Sequence, residues 1–265
     1  MCGIVGLIDT PWQKQIGQML EALASRGPDA RAIYEEAGVA LGHARLSVID
    51  ISGGHQPMIS PDGRYALVFN GEIYNFLTLR DELEGMGFHF LTRSDTEVIL
   101  HGFAAWGEDL PCRLDGMFAY AIWDRNERTL SAARDRIGIK PFFYSELNGF
   151  AFASTLAPFV GLGSFSRDLD WSAVRDYLAF QACLAPTSFL TSVSQLPPAS
   201  RLKWNAVSGH LQVERYWSIS APGELLGSQD ELVERVDHAI EASVRAQMVS
   251  DVPLGAFLSG GIDSS

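Results

Sequence analysis

Apolar positions recur along the chain with two periods, and the switches between them predict its elements. CGIVGLID (2–9) is a short apolar run broken by glycines, the pattern of a buried strand. In QKQIGQMLEALASRG, Ile16, Met19, Leu20 and Leu23 fall at i, i+3, i+4 and i+7, an amphipathic helix ending near Gly27. RYALVFNGEIY (64–74) predicts a strand running into a turn, and a helix carrying Leu79, Leu83 and Met86 follows and stops at Gly87. SDTEVILHGFAAW opens with a capping box from Ser94 to Glu97, which puts Asp95 in a first helical turn. From 113 to 155 the runs shorten into GMFAYAIWD, RTLSAARD, PFFYSE and GFAFAS, separated by polar turns. Consecutive strands of this kind predict an antiparallel sheet rather than alternating βαβ units.

The texture loosens over LPPAS and SAPGELLGS. Beyond it Leu232, Val236, Ile240 and Val244 share one helical stripe, and LGAFLSGGIDSS predicts a buried strand entering a glycine turn. One helix and one strand cannot bury a core. The expected organisation is therefore a domain over 2–210, followed by a linker and the start of a second domain over 211–265.

Composition narrows the class. The 265 residues are 47% hydrophobic with 15 Phe, enough for a sizeable core. A formal charge of −12 would repel nucleic acid and acidic membranes, so neither is an expected partner. The longest apolar run, MFAYAIW, has seven residues, far short of the ~20 that span a bilayer. No basic-then-apolar leader opens the sequence. Cys2, Cys112 and Cys183 have no CxxC spacing, so neither a disulfide framework nor a metal site is expected. These features predict a cytoplasmic protein with reduced thiols.

Cys2 is the first candidate for chemistry. Gly3 is small, so an aminopeptidase that removed Met1 would leave thiol and α-amine on one carbon. That amine, with an ordinary pKa of roughly 7.7–8.0, can take the thiol proton and return it to a leaving amine. The plain alternative is a small buried hydrophobe on a strand. What favours chemistry is the company: RGPD (26–29), GHARLSVID (42–50), NGEIYN (70–75) and SDTEV (94–98). With the opening CGIVG these resemble the class II glutamine amidotransferases, whose glutaminase domain is an N-terminal-nucleophile hydrolase. RGPD, the RLS stretch and SGGIDSS (259–265) resemble the asparagine synthetase branch, as do LDGMFAYAIWD (114–124), ARDRIGIKPFFY (133–144) and RYW (215–217).

The resemblance implies an α+β fold, a four-layer αββα sandwich of two antiparallel sheets, followed by the beginning of an α/β ATP-pyrophosphatase domain. It implies that Cys2 attacks the side-chain amide of L-glutamine, releasing ammonia and then glutamate through a thioester. Arg45 would bind the substrate's α-carboxylate within a stretch that includes Leu46, Ser47, Val48 and Ile49. Asp95, with Glu72, would hold its ammonium group, and Asn70 with the Gly71 N–H would form the oxyanion hole. Arg26 and the RGPD turn would support the pocket. Each has a plainer reading: a helix-dipole acid at Asp95, an Asn-Gly hairpin turn at 70–71, a helix-ending turn at RGPD. A papain-like pair with His43, His55 or His101 is the alternative to the α-amine.

In SGGIDSS the resemblance implies contacts from Leu258, Ser259, Gly260, Gly261, Asp263 and Ser264 to the pyrophosphate of ATP, with Mg2+. Glutamine hydrolysis itself needs no cofactor. Ammonia would go to ATP-dependent amidation of aspartate, with another carboxylate acceptor, or a catalytically idle relative, as the competing readings; a homodimer is compatible. Two departures stand out: Ser25 replaces a His common before RGPD, and FASTLAPF puts Thr155 where an acidic residue is usual.

Overall fold

A computed structural model of the chain describes every residue except 164, 221–222, 224–226 and 263–265. The opening run becomes β1 (Gly3–Ile8), buried along its whole length. α1 (Ile16–Glu21) buries Ile16, Met19 and Leu20 but is shorter than expected. Past it the chain tightens into i→i+3 bonds, Leu23 to Leu20 and Arg26 to Leu23, which still carry Leu23 into the core. β2 (Ala30–Glu36) and β3 (Val39–Arg45) form a hairpin, and β4 (Met58–Ile59) precedes β5 (Tyr65–Ile73).

β5 corrects the expected turn at Asn70–Gly71. It runs straight through both, pairing Asn70 with Ala119 and Gly71 with Phe118. Its partner matches it over nine residues, and that full-length pairing outweighs the local turn preference.

α2 (Phe76–Gly85) buries Leu79 and Leu83 but leaves Met86 exposed just beyond its end. α3 (Asp95–Trp106) starts at Ser94, whose hydroxyl accepts the Thr96 N–H. The capping box itself does not form, because the hydroxyl takes the Thr96 N–H rather than that of Glu97. Glu97 instead accepts from the Leu91 and Thr92 backbone and the Thr92 hydroxyl, tying down the preceding turn. Next come α4 (Leu110–Arg113), β6 (Gly116–Asp124), β7 (Thr129–Arg134), β8 (Phe143–Ser145), β9 (Phe150–Ala153), α5 (Ala157–Gly161) and α6 (Trp171–Phe180). β10 (Ser194–Gln195), β11 (Ser200–Asn205), β12 (His210–Arg215) and α7 (Gln229–Ala246) complete the order.

The strands form two six-stranded antiparallel sheets, β10-β8-β9-β1-β3-β2 and β12-β11-β7-β6-β5-β4. Period-two alternation splits their faces. Ile4, Ile8 and Leu41 meet Ala66, Val68 and Trp123 between the sheets. Leu67 and Phe69 face outward onto Leu79, Leu83 and Val98 of α2 and α3. Val5 and Leu7 face the other way onto Met19, Leu20 and Phe159 of α1 and α5. The layers are helix, sheet, sheet, helix.

β12 pairs along its length with β11, so the first sheet-forming unit runs past the boundary expected at 210. The tail departs further from expectation. α7 is well capped by Ser228 and Glu231, yet none of it is buried, and Val236, Ile240 and Val244 lie exposed. Residues 254–262 form no strand, and Leu254, Phe257 and Leu258 are exposed. The apolar character is there, but among the described residues no neighbouring strand pairs with it.

Candidate active site

The facing sheets bring their chemistry together at one edge. Cys2 stands immediately before β1, while β5 turns alternate residues inward, so Asn70 and Glu72 share the face of Ala66 and Val68. Asn70 is 1% exposed, and neither its Oδ1 nor its Nδ2 has a hydrogen-bond partner. A buried amide with both ends unpaired is costly unless a ligand satisfies it. On the open side of β5, the Phe69 N–H donates to Gln56 Oε1 at 2.6 Å and the Ile73 N–H to Asp95 Oδ2 at 3.0 Å. N–H groups two residues apart on a strand point the same way, so the Gly71 N–H between them faces that side too. β4 pairs only with Ala66 and Leu67, so no strand covers this stretch. A side chain at residue 71 has no room: a methyl group would come within 2.2 Å of the Met117 carbonyl oxygen.

Arg45 ends β3 and is 5% exposed. Its guanidinium donates to the carbonyls of Asp50 (2.6 Å), Ile51 (2.8 Å) and Ile49 (3.3 Å), so the 46–51 loop curls around it. Three of its five N–H groups are thereby used, and no carboxylate pairs with it among the described residues. From the start of the loop the Leu46 N–H reaches Cys2 Sγ at 3.4 Å. The RGPD turn braces this arrangement. Arg26 Nε donates to the Cys2 carbonyl at 2.9 Å, and the Asp29 carboxylate accepts the Ser47 N–H at 2.8 Å. Gly27 packs so closely on the Ala44 backbone that a methyl group would lie 2.1 Å from it.

Cys2, Arg45, Leu46, Val48, Ile49, Asn70, Gly71, Glu72 and Asp95 all line one cleft of about 160 Å³. Ser47 does not; its N–H is turned to Asp29. Gln56, Thr96, Met117 and Lys140 line it as well and were not anticipated. Lys140 lies within the ARDRIGIKPFFY motif, whose resemblance is legible in the sequence but assigns no role to this position. Leu258, Ser259, Gly260 and Gly261 stand exposed away from the cleft, and Asp263 and Ser264 lie outside the described residues.

Burial sets the electrostatics. It pushes the Cys2 thiol up, opposed by the Leu46 N–H and the nearby amino terminus and Arg45. It raises Asp95 to about 7, helped by the charge of Glu72 and opposed by the Ile73 N–H. Glu72 is raised by burial against the pull of Lys140, and Lys140 is lowered by the same burial. Desolvation also holds the amino-terminal amine below its ordinary value.

No histidine lines the cleft. His43 is buried, hydrogen bonded through Nε2 to the Phe69 carbonyl at 3.1 Å, and lowered by burial to about 4, so it is neutral. His101 sits against Glu97 at 3.4 Å and His55 is exposed. The geometry offers no cysteine–histidine pair among the described residues. No cluster of potential metal ligands occurs among the described residues either.

Two facing antiparallel sheets between helix layers, with a cysteine at the head of a central strand, define the architecture of the N-terminal-nucleophile hydrolases. Residues 1–217 match the glutamine amidotransferase domain family, and the chain belongs to that family. Residues 235–265 match the asparagine synthase family. The chain is 37% identical over 272 residues to asparagine synthetase [glutamine-hydrolyzing] 1 of Bacillus subtilis, covering 100% of this chain and 43% of that protein. Asparagine synthetase [glutamine-hydrolyzing] 3 of the same organism is 37% identical over 276 residues, with 100% and 44% covered. The chain thus spans less than half the length of these curated relatives. Glutamine phosphoribosylpyrophosphate amidotransferase from B. subtilis shares the fold, with a TM-score of 0.60, 21% identity, and 82% of this chain and 49% of that chain covered.

Proposed function

We propose that this chain hydrolyses L-glutamine to glutamate and ammonia through a thioester on Cys2. The observation that carries the proposal is the buried, doubly unpaired amide of Asn70 beside the Gly71 N–H, which faces the open side of β5, in the cleft that Cys2 lines. Two neutral donors side by side, one of them without a protein partner, suit the oxyanion that forms when a thiolate adds to an amide carbon. Removal of Met1 places the α-amine on Cys2 itself. That amine accepts the thiol proton and passes it to the departing ammonia, and water then cleaves the thioester. Arg45 keeps two N–H groups and its charge for the substrate α-carboxylate, while Asp95 and Glu72 take the ammonium group.

In this reading the ammonia serves ATP-dependent amidation of a carboxylate, and the resemblance to glutamine-hydrolysing asparagine synthetases supports aspartate as the acceptor. Leu258, Ser259, Gly260, Gly261, Asp263 and Ser264 would contact the pyrophosphate of ATP in that step, with Mg2+. The described ones, Leu258, Ser259, Gly260 and Gly261, are exposed. No helix among the described residues is long and apolar enough to cross a membrane. A cytoplasmic location and a homodimer remain part of the proposal.

Glutamate release from glutamine tests the mechanism. Cys2→Ala abolishes it, whereas Cys112→Ala and Cys183→Ala leave it near the parent rate. Asn70→Ala lowers kcat by about a hundredfold or more with KM little changed. A sample retaining Met1, verified by intact mass, is nearly inactive, because an amide nitrogen accepts no proton at neutral pH. Equal activity with and without Met1 would overturn the α-amine as base; a rise in KM alone for Asn70→Ala would overturn the oxyanion hole.

A further inference from the structure

The 46–51 loop is held from its inner side by Arg45 and from its outer side by a residue far along the chain. Asp251, five positions beyond α7, accepts the Asp50 N–H on Oδ2 at 2.7 Å. Its own N–H donates to the Val48 carbonyl at 3.0 Å. The two bonds span alternate residues of the loop, as an added strand would. The peptide unit joining Ile49 to Asp50 is therefore gripped at both ends, its carbonyl by Arg45 Nη2 at 3.3 Å and its N–H by Asp251. A trans peptide is planar, with C=O and N–H pointing in opposite directions, so the outer bond sets the direction of the inner one. The same loop supplies the N–H at Cys2 Sγ and three residues, Leu46, Val48 and Ile49, that line the cleft.

We infer that Asp251 is a positioning residue for the substrate loop, fixing the 48–51 backbone so that Arg45 is presented for the substrate carboxylate. This rests on glutamine hydrolysis at Cys2 as the function of the cleft. Asp251 is itself exposed and touches no reacting atom, so its effect falls on substrate binding rather than on the chemical step. It also lies in the stretch that matches the asparagine synthase family, so a residue of that second segment completes the glutamine site of the first.

The test compares the full 265-residue chain with Asp251→Ala and Asp251→Asn. Asp251→Ala raises KM for glutamine about tenfold, the effect of losing one charge-assisted hydrogen bond, and leaves kcat within about twofold. Asp251→Asn keeps an acceptor oxygen and restores most of the KM. Amide hydrogen exchange supplies a readout that needs no activity: exchange over 46–51 accelerates in Asp251→Ala and returns toward the parent rate in Asp251→Asn. Unchanged exchange over 46–51 in Asp251→Ala overturns the inference, as does an equal fall in kcat with KM unchanged. If the parent chain releases no glutamate yet exchange responds as stated, the positioning role stands and the proposed function fails.

Discussion

Asp95 carries a tension that substrate binding can resolve. Its carboxyl is almost fully buried, and desolvation raises it to about 7 despite the Ile73 N–H bond. An ammonium group placed against it favours the ionised form, so the pKa falls when substrate binds. The sign follows directly. Below about pH 7 the free protein holds a proton that binding must expel, and affinity climbs as pH rises, levelling once Asp95 is ionised in the free state. Calorimetry of the Cys2→Ala variant with glutamine should show affinity gaining up to about tenfold per pH unit below 7 and a proton released in buffers of different ionisation enthalpy. Affinity that is flat between pH 5.5 and 8 would remove Asp95 as the ammonium partner. The motif SDTEV placed this residue correctly in a first helical turn, where complementing the helix dipole is an equally sound reason for an acid. What the motif could not contain is the burial, or the bond that the carboxylate accepts from the Ile73 N–H of β5.

Among the elements, β5 decides whether the site exists. Gly71→Ala puts a methyl group 2.2 Å from the Met117 carbonyl oxygen and 2.7 Å from Phe118 Cα. Both are backbone atoms of the paired strand and cannot rotate away. The expected outcome is a loss of about 1–3 kcal/mol in denaturant unfolding, with glutaminase activity falling as the oxyanion edge shifts. Gly85→Ala is the internal control: it lies at the end of α2 with nothing within 4 Å, so it is neutral or stabilising by up to about 1 kcal/mol. A Gly71→Ala chain as stable as its parent would mean the β5–β6 pairing is looser than described. Strands and helices with strong periodicity, such as β1, β6 and α3, were legible because their burial follows their own alternation. The straight course of β5 was not, because Asn-Gly favours a turn locally and only β6, more than forty residues on, opposes it. The capping box failed for a related reason: Glu97 finds better donors in a turn that the pattern of spacing does not describe. Lys140 and Gln56 were hidden because nothing local distinguishes a cleft-lining residue from any other polar position on a loop.

At the scale of the whole molecule, packing and recognition have separate origins. The three apolar cores draw every buried member from residues up to Trp204, with Leu211 and Tyr216 packed at their margins. α7 contributes nothing to them; its Val233, Val236, Ile240 and Val244 are more than half exposed. Residues 1–217 should consequently fold with the same cooperativity as the longer chain. Their thermal midpoint should lie within about 3 °C of it, since removing exposed segments changes stability by only a few tenths of a kcal/mol. Glutamine recognition should not survive as well, because the shortened chain lacks Asp251 and with it the outer grip on Asp50. Its KM should rise to the level of the Asp251→Ala variant and no further, with kcat close to the parent value. Calorimetric unfolding paired with a glutamate-release assay separates the two outcomes. A lowered or broadened transition would show that the second segment helps hold the sandwich together, whereas an unchanged KM would show that the loop stands without it.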